Sequence, residues 1–285
     1  MYLKDDKIIA KIGSLTMRSS KSGVGNDFIL DPTAVLGWTD GTLVRRDKTA
    51  RVTSHGDFSD QGTLSAREIS FSGTAVANSI EDLHEMRDKF TGILSAGEYG
   101  RLSVETARDI RYATVGLEGT TSWVQQSDTI AVWKINFYAP DPRIYGPDRK
   151  TTVKMVSNLG GLKYPLTYPT NYNQTESDIQ SVIVENNGNS RAWPIVVVTG
   201  DYFSGFEFVD SFGRGVIWTG SVTLNAPVTV DMAAGSAVQL GVDKSHLFTR
   251  RVWSYVDPGQ QIVPDFKPLQ SGNGWCDIII RDTWV

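Results

Sequence analysis

Histidine and cysteine side chains could do chemistry in this chain, but their spacing indicates no catalytic role. His55, His84 and His246 are far apart and lie in no H-x-E, H-E-x-x-H or C-x-x-H pattern, so no metal site is predicted. Cys276 is the only cysteine, which excludes an internal disulfide and suits folding in a reducing cytoplasm. It lies in an apolar strand pattern, which favours a small buried thiol over a nucleophile. No G-x-S-x-G elbow is present.

Two further patterns could carry chemistry, and neither is complete. Gly23 and Gly25 resemble the beginning of a phosphate-binding loop, but a third glycine and a G-K-[ST] sequence are missing, so we predict a flexible turn. Five carboxylates of the second half could supply a glycosidase pair: Asp201, Glu207, Asp210, Asp231 and Asp243. The sequence places no two of them at the required separation, which favours surface solubility. We therefore predict no catalytic residue, no cofactor and no enzyme.

Tryptophans of the second half allow two interpretations. They are Trp193, Trp218, Trp253, Trp275 and Trp284. Exposed aromatic rings on a β-sandwich can stack against sugars, and carbohydrate binding in host recognition is one hypothesis. Burial in the core is favoured, because Trp218 follows an apolar pair and Trp284 shares its parity with Cys276, Ile278 and Ile280.

Composition favours a folded, mainly β protein of two domains. The 285 residues are 40% hydrophobic and 21% charged, with abundant aromatic and β-branched residues and 27 glycines. The formal net charge of −4 provides no basic field to hold nucleic acid, which disfavours DNA binding as the main task. Acidic residues at the N-terminus argue against a signal peptide, and no apolar run reaches the roughly 20 residues of a membrane span, so no membrane insertion is predicted.

Period-two alternation predicts strands in the first half. Ala131, Trp133, Ile135, Phe137 and Ala139 share one face of a predicted strand, and similar alternation occurs at 68–73 and 111–117. The first half is therefore predicted to be a β-sheet or barrel.

A single helix is predicted between these strands. Ser79 and Asp82 fit a capping box, and Gly92 is a plausible C-terminal stop. One helical face is predicted to carry Ile80, Leu83, Met86 or Arg87, and Phe90. With this helix the first half becomes an α+β unit.

The segment 139–147 contains three prolines and a glycine, and it divides the chain into predicted domains 1–149 and 150–285. The second domain is predicted to be an antiparallel β-sandwich with strands at 182–185, 195–199, 215–219 and 277–284. A further strand would place Leu224, Ala226, Val228, Val230 and Met232 on one apolar face. Pro227 on its polar face suggests an edge strand or a bulge.

Several segments resemble the distal tail proteins of siphophages, the Dit family, especially those whose hosts are Gram-positive. The segment FYAPDPRIY (137–145) is similar to the end of the family's N-terminal domain. The segment VENNGNSRAWPIVVVTG (184–200) resembles the opening of the second domain, and YVDPG (255–259) and IIIRDTW (278–284) continue the pattern. The sequence departs from the family pattern at 260–264, which leaves the local fold of 259–275 open.

The resemblance implies a structural protein of the virion, made in the host cytoplasm and placed at the phage tail tip. Six N-terminal domains, similar to split β-barrel tail-tube subunits, would form a homo-hexameric ring. Galectin-like sandwiches would project outward. The ring would join the tail tube protein to the tail-associated hub protein, with DNA only as passing cargo. The outer sandwich would offer a docking surface for receptor-binding or side-fibre proteins.

Overall fold

The computed structural model describes residues 7–20, 25–154, 182–270 and 272–285. The fold is mainly β, as predicted, and the chain divides into two compact units. Unit 1 consists of Met1–Pro147 with Val285, and unit 2 of Asp148–Trp284. Each unit has its own hydrophobic core.

The described part of unit 1 contains thirteen strands, one α-helix and one 3₁₀ turn. In chain order they are β1 (Ile9–Ile12), β2 (Leu15–Arg18), β3 (Asp27–Leu30), the 3₁₀ turn (Pro32–Ala34), β4 (Val44–Arg45), β5 (Lys48–Ala50), β6 (Asp57–Ser59), β7 (Thr63–Leu64), β8 (Arg67–Val76), α1 (Ile80–Thr91), β9 (Gly100–Glu105), β10 (Ile110–Leu117), β11 (Ser122–Gln125), β12 (Ile130–Ala139) and β13 (Ile144–Tyr145).

Seven strands of unit 1 close into a barrel-like sheet. Their order is β12, β8, β3, β2, β1, β9 and β10, and β10 pairs again with β12. All these pairs are antiparallel except β2 with β3. The predicted alternation of β12 is confirmed, because its odd-numbered residues from Ala131 to Ala139 are fully buried. Closure leaves these seven strands without a free edge around the core.

The helix α1 has the predicted ends. The Ser79 hydroxyl accepts the N–H of Asp82 at 3.1 Å, and the N–H of Gly92 donates to the Asp88 carbonyl. Three side chains of the helix are buried against the sheet: Leu83, Met86 and Phe90. Ile80, placed on the same face by the sequence, is instead 37% exposed, and it is the first residue of α1, at the end of that face.

Unit 2 is an antiparallel β-sandwich, as predicted. Its described elements are β14 (Arg149–Lys154), β15 (Val184–Glu185), β16 (Ile195–Tyr202), β17 (Phe206–Val209), β18 (Gly215–Trp218), β19 (Val228–Asp231), β20 (Ser236–Gln239), β21 (Val242–Asp243), a 3₁₀ turn (Ser245–Leu247), β22 (Phe248–Val252), β23 (Gln261–Ile262), β24 (Asp265–Pro268), β25 (Gly272–Ile280) and β26 (Thr283–Trp284). A six-stranded sheet has the order β14-β25-β16-β19-β20-β21, and a four-stranded sheet has the order β22-β18-β17-β24. Both contribute buried residues to one core.

The predicted strand around Pro227 is wrong in its first half. The N–H of Ala226 donates to the Thr223 carbonyl at 3.0 Å, so the chain turns there, and Leu224 is 56% exposed. The strand β19 begins only at Val228, immediately after Pro227. It pairs with β16 on one side and β20 on the other, so the edge-strand prediction is also wrong.

The C-terminal strand follows the predicted parity only as far as Ile280. Cys276, Ile278 and Ile280 are buried in β25. The chain then leaves the strand at residues 281–282, where the Asp282 carboxylate accepts the backbone N–H of Asn187 at 2.7 Å. Beyond this break Thr283 is buried and Trp284 is only half-buried, so the inward placement of Trp284 is wrong.

The described part of the segment 259–275, left open by the sequence, contains two short strands before β25 begins at Gly272. The strand β23 pairs with β15, and β24 forms an edge of the four-stranded sheet beside β17. Pro268 ends β24, where a missing N–H is tolerated because an edge strand has a free side.

Candidate interaction surfaces

The structure brings the histidines and the cysteine into no reactive cluster. His55, His84 and His246 are exposed on separate elements, and among the described residues no group of three His, Cys, Asp or Glu side chains could hold a metal ion. Cys276 is fully buried, as predicted, and burial raises the pKa of its thiol far above the usual range. Such a thiol is inert as a nucleophile.

Most of the five candidate carboxylates have structural roles. The buried Asp210 accepts hydrogen bonds from Arg214 and Ser254, while Asp231 and Asp243 accept backbone N–H groups of the turns that follow them. Glu207 differs, because it faces an open cleft on the four-stranded sheet. Of the predicted phosphate-loop turn, Gly23 lies outside the described residues.

The tryptophans divide between core and surface. Trp218 is fully buried, stacks on Phe206 at 5.6 Å, and donates its indole N–H to the Lys244 carbonyl at 3.2 Å. Trp193 and Trp253 are half-buried. Trp275 is 37% exposed, which contradicts its predicted burial, because it lies on the outward face of β25, opposite the inward Cys276.

The first surface is an exposed β-hairpin of unit 1, residues 43–65, which we name the arm. The strand β4 pairs with β7, and β5 pairs with β6, with exposed residues nearly throughout. Val52 at its tip is 99% exposed and Phe58 is 64% exposed. An isolated two-stranded hairpin is marginal in water. No sequence pattern predicted the arm, although Val52 and Phe58 stand out in a polar segment.

The second surface is a stack of planar groups in unit 2, which we name the arginine–aromatic stack. The guanidinium carbons of Arg214 and Arg191 lie 3.8 and 3.7 Å from the centre of the Tyr255 ring. Two guanidinium groups cannot both lie on the same face of the Tyr255 ring at these distances. One arginine therefore lies on each face of the ring. The centre of the Phe212 ring lies 4.9 Å from the guanidinium carbon of Arg214, and Phe212 is 59% exposed. The ring centres of Trp193 and Tyr255 lie 5.2 Å apart.

Carboxylates hold both arginines of this stack in place. Arg214 Nε donates to Asp210 at 2.8 Å, and Arg191 Nε donates to Asp257 at 2.9 Å. The Ser254 hydroxyl donates to the same Asp210 at 2.6 Å. The stack is therefore ordered before any partner arrives, which lowers the entropic cost of binding.

The third surface is a cleft of about 300 Å³ on the outer face of the four-stranded sheet. It is lined by Glu207, Val209, Gly213, Arg250, Asp265 and Lys267. Of this lining only Glu207 is a candidate from the sequence, because apart from Val209 on the same strand the other residues come from three further segments. Among the described helices none is long and apolar enough to cross a membrane.

Comparison with known proteins bears on the fold. No protein-family model and no curated protein matches the chain. The crystal structure of SPP1 Dit (gp 19.1), described as a paradigm of the hub adsorption apparatus in phages that infect Gram-positive bacteria, matches with a TM-score of 0.62. The two chains are 13% identical, and the match covers 98% of this chain and 99% of that one. The phage P2 baseplate in its activated conformation with Ca matches with a TM-score of 0.50 and 12% identity, over 97% of this chain and 98% of that one. Along nearly its whole length, the chain therefore has the fold of a Dit protein of the phage hub adsorption apparatus.

Proposed function

We propose that this chain is a non-enzymatic structural protein of a phage tail tip. Six copies form a ring through the N-terminal domain, 1–149, and the ring joins the tail tube protein to the tail-associated hub protein. The second domain, 150–285, serves as a docking platform for receptor-binding or side-fibre proteins. The likeness to hub adsorption and baseplate structures supports the location, and the exposed arm supports the assembly.

The arm carries the assembly proposal. Its exposed apolar side chains are Leu43, Val44, Val52 and Phe58, and none belongs to the hydrophobic core of unit 1. Their concentration in one short segment supports an interaction site there. A hairpin that contacts a different surface of the next copy makes a heterologous interface. Such an interface forms a closed ring when the rotation between copies closes.

Light scattering of the purified full chain tests this assembly. We expect a species of about 188 kDa, six copies of the 31.4 kDa chain, and rings in negative-stain images. Phe58→Asp should shift the population to monomers, because a carboxylate would be buried in the interface. Phe203→Asp is the matched control, since Phe203 is 78% exposed but belongs to unit 2. Monomers of the wild-type chain at high micromolar concentration would contradict the proposal.

The arginine–aromatic stack supports docking on unit 2. Binding hot spots are enriched in Trp, Tyr and Arg and are ordered before binding. Tyr255→Ala should weaken binding of the phage's own adsorption proteins by at least about thirtyfold without changing ring size, since hot-spot truncations cost about 2 kcal/mol or more. Tyr99→Ala is the control, because Tyr99 is 57% exposed on unit 1. An equal loss in both variants would place docking elsewhere.

The proposed ring lets DNA pass without holding it. A net charge of −4 per chain becomes about −24 for six copies, and like charges repel the phosphate backbone. Duplex DNA should therefore show no retention by the purified protein at physiological salt. Measurable duplex binding there would contradict a passive channel, and turnover of cell-wall polymer would contradict the absence of an active site.

A further inference from the structure

The cleft on the four-stranded sheet has a regular arrangement of charge. One row crosses all four strands through the register pairs Lys267–Glu207, Glu207–Ile217 and Ile217–Arg250. A second row places Val209 opposite Asp265. The first row covers three inter-strand spacings, about 14 Å.

Internal contacts fix some of these groups and leave others available. Arg250 Nη2 donates to the Gly213 carbonyl at 2.6 Å, which orients the guanidinium along the cleft. The Arg250 Nη1 to Glu207 Oε1 contact is long, at 3.5 Å, and no described residue donates to Glu207 Oε2. Lys267 pairs with Asp265 at 2.5 Å, with both side chains more than half exposed. The cleft thus offers free acceptors and free donors side by side.

The charges of the lining residues balance, since two carboxylates face one guanidinium and one ammonium. A strongly anionic or cationic ligand would meet repulsion as well as attraction here. A neutral ligand rich in hydroxyl groups fits better, because each hydroxyl donates to a carboxylate and accepts from Arg250 or Lys267. Val209 supplies an apolar side chain of the lining that can contact C–H groups.

We propose that this cleft is a binding subsite for neutral saccharides of one or two rings. Its volume of about 300 Å³ lies at the lower end of the range for small-ligand sites. The ligand is held by Glu207, Arg250 and Lys267, and no covalent step is involved. This subsite is independent of ring formation, which belongs to unit 1.

The subsite is tested by titrating the full chain with neutral hexoses, N-acetylhexosamines and their disaccharides. Binding is detected by NMR or calorimetry. We expect a dissociation constant of about 1 mM for the best sugar, in keeping with modest ligand efficiency in an open cleft. Glu207→Gln and Arg250→Gln should each weaken binding by at least about tenfold, since each removes a charge-assisted hydrogen bond. Lys267→Gln provides a third variant at a highly exposed position, so a folding defect in one variant does not decide the result.

Glu85→Gln is the matched control, because Glu85 forms an exposed ion pair with Lys89 at 3.7 Å on α1. It should bind sugar as the wild type does. The subsite would be overturned if no sugar bound at concentrations tens of times the expected dissociation constant. It would also be overturned if the three cleft variants bound sugar as the wild type does. A third contrary result would be binding of free glutamate or lysine in the cleft without binding of neutral sugars. Each can occur while rings form normally, so failure here is distinguishable from failure of the assembly proposal.

Discussion

Replacement of Arg67 by methionine tests whether one buried guanidinium holds two distant segments of unit 1 together. Arg67 is 3% exposed. Its Nε donates to the Pro142 carbonyl at 2.8 Å, and its Nη1 donates to the carbonyls of Gly37 at 2.6 Å and Asp40 at 2.8 Å. Gly37 and Asp40 precede the arm, whereas Pro142 belongs to the proline-rich segment 140–147. Methionine keeps the apolar stem and removes every donor.

The cost follows from the three carbonyls that lose their donor. A buried acceptor left unsatisfied costs about 1–3 kcal/mol, and these three carbonyls are only partly buried, so each costs less than the full penalty. The wild-type residue also has a cost, because burial lowers the pKa of Arg67 and its Nη2 finds no partner among the described residues. In the methionine variant the cost of burying the guanidinium disappears, and water can reach the three carbonyls. Both effects reduce the loss of unfolding free energy. We expect a net cost of about 3 kcal/mol, below the 5–15 kcal/mol that stabilises a typical domain, so unit 1 stays folded.

Hydrogen exchange read by mass spectrometry resolves the effect by segment. Amides of 36–41 and of 140–147 should both lose protection, by up to about 100-fold for 3 kcal/mol, while α1 keeps its protection. Arg87→Met is the control, because the Arg87 side chain is 46% exposed on α1. If only one of the two segments loosens, or neither does, Arg67 does not couple them and the reasoning is refuted.

Three further predictions concern unit 2 and the tyrosine near its boundary. Deletion of 276–285 removes most of β25, a strand that pairs with β14 on one side and β16 on the other. Unit 2 should therefore lose its near-ultraviolet circular dichroism signal and its protease resistance, while rings persist. Unchanged protease resistance would show that the segment is a peripheral tail. Burial alone would raise the pKa of Asp277, but hydrogen bonds from Thr152 and Lys150 hold it below its usual value. The ionised carboxylate of Asp277 therefore stabilises the fold at pH values above its unfolded pKa, and this stabilisation is lost as the pH falls through its folded pKa. In a plot of unfolding free energy against pH, Asp277→Asn should make the decline on the acid side less steep. An unchanged decline would contradict this role of Asp277. Burial and Asp141 raise the pKa of Tyr145 to about 12. The protonated phenol therefore stabilises the fold fully below the ordinary pKa of tyrosine, and this stabilisation is lost as the pH rises through about 12. The tyrosinate absorbance of Asp141→Asn should show a lower midpoint, and an unmoved midpoint would exclude the Asp141 contribution.

Sequence patterns predicted the elements that local periodicity controls. The alternation of 131–139 identified the inward face of β12, because every second side chain of a strand points the same way. Ser79 identified the beginning of α1, because a helix needs an acceptor for its first N–H groups. The same local logic failed at Leu224 and Trp284, where a turn or a break in the strand changed the direction of the side chains.

The sequence by itself determined the fold class, the helix α1 and the buried thiol. Only the tertiary structure decided the arm, the arginine–aromatic stack and the cleft. For the stack and the cleft the reason is physical, since residues far apart in the chain make them: Arg191 meets Tyr255, and Glu207 meets Arg250 and Lys267. The arm is local in sequence, but whether its hairpin packs on a core or stays exposed depends on the rest of the fold. Strand periodicity shows that one face of a strand is buried, but the cross-strand register that brings outward side chains together depends on non-local pairing.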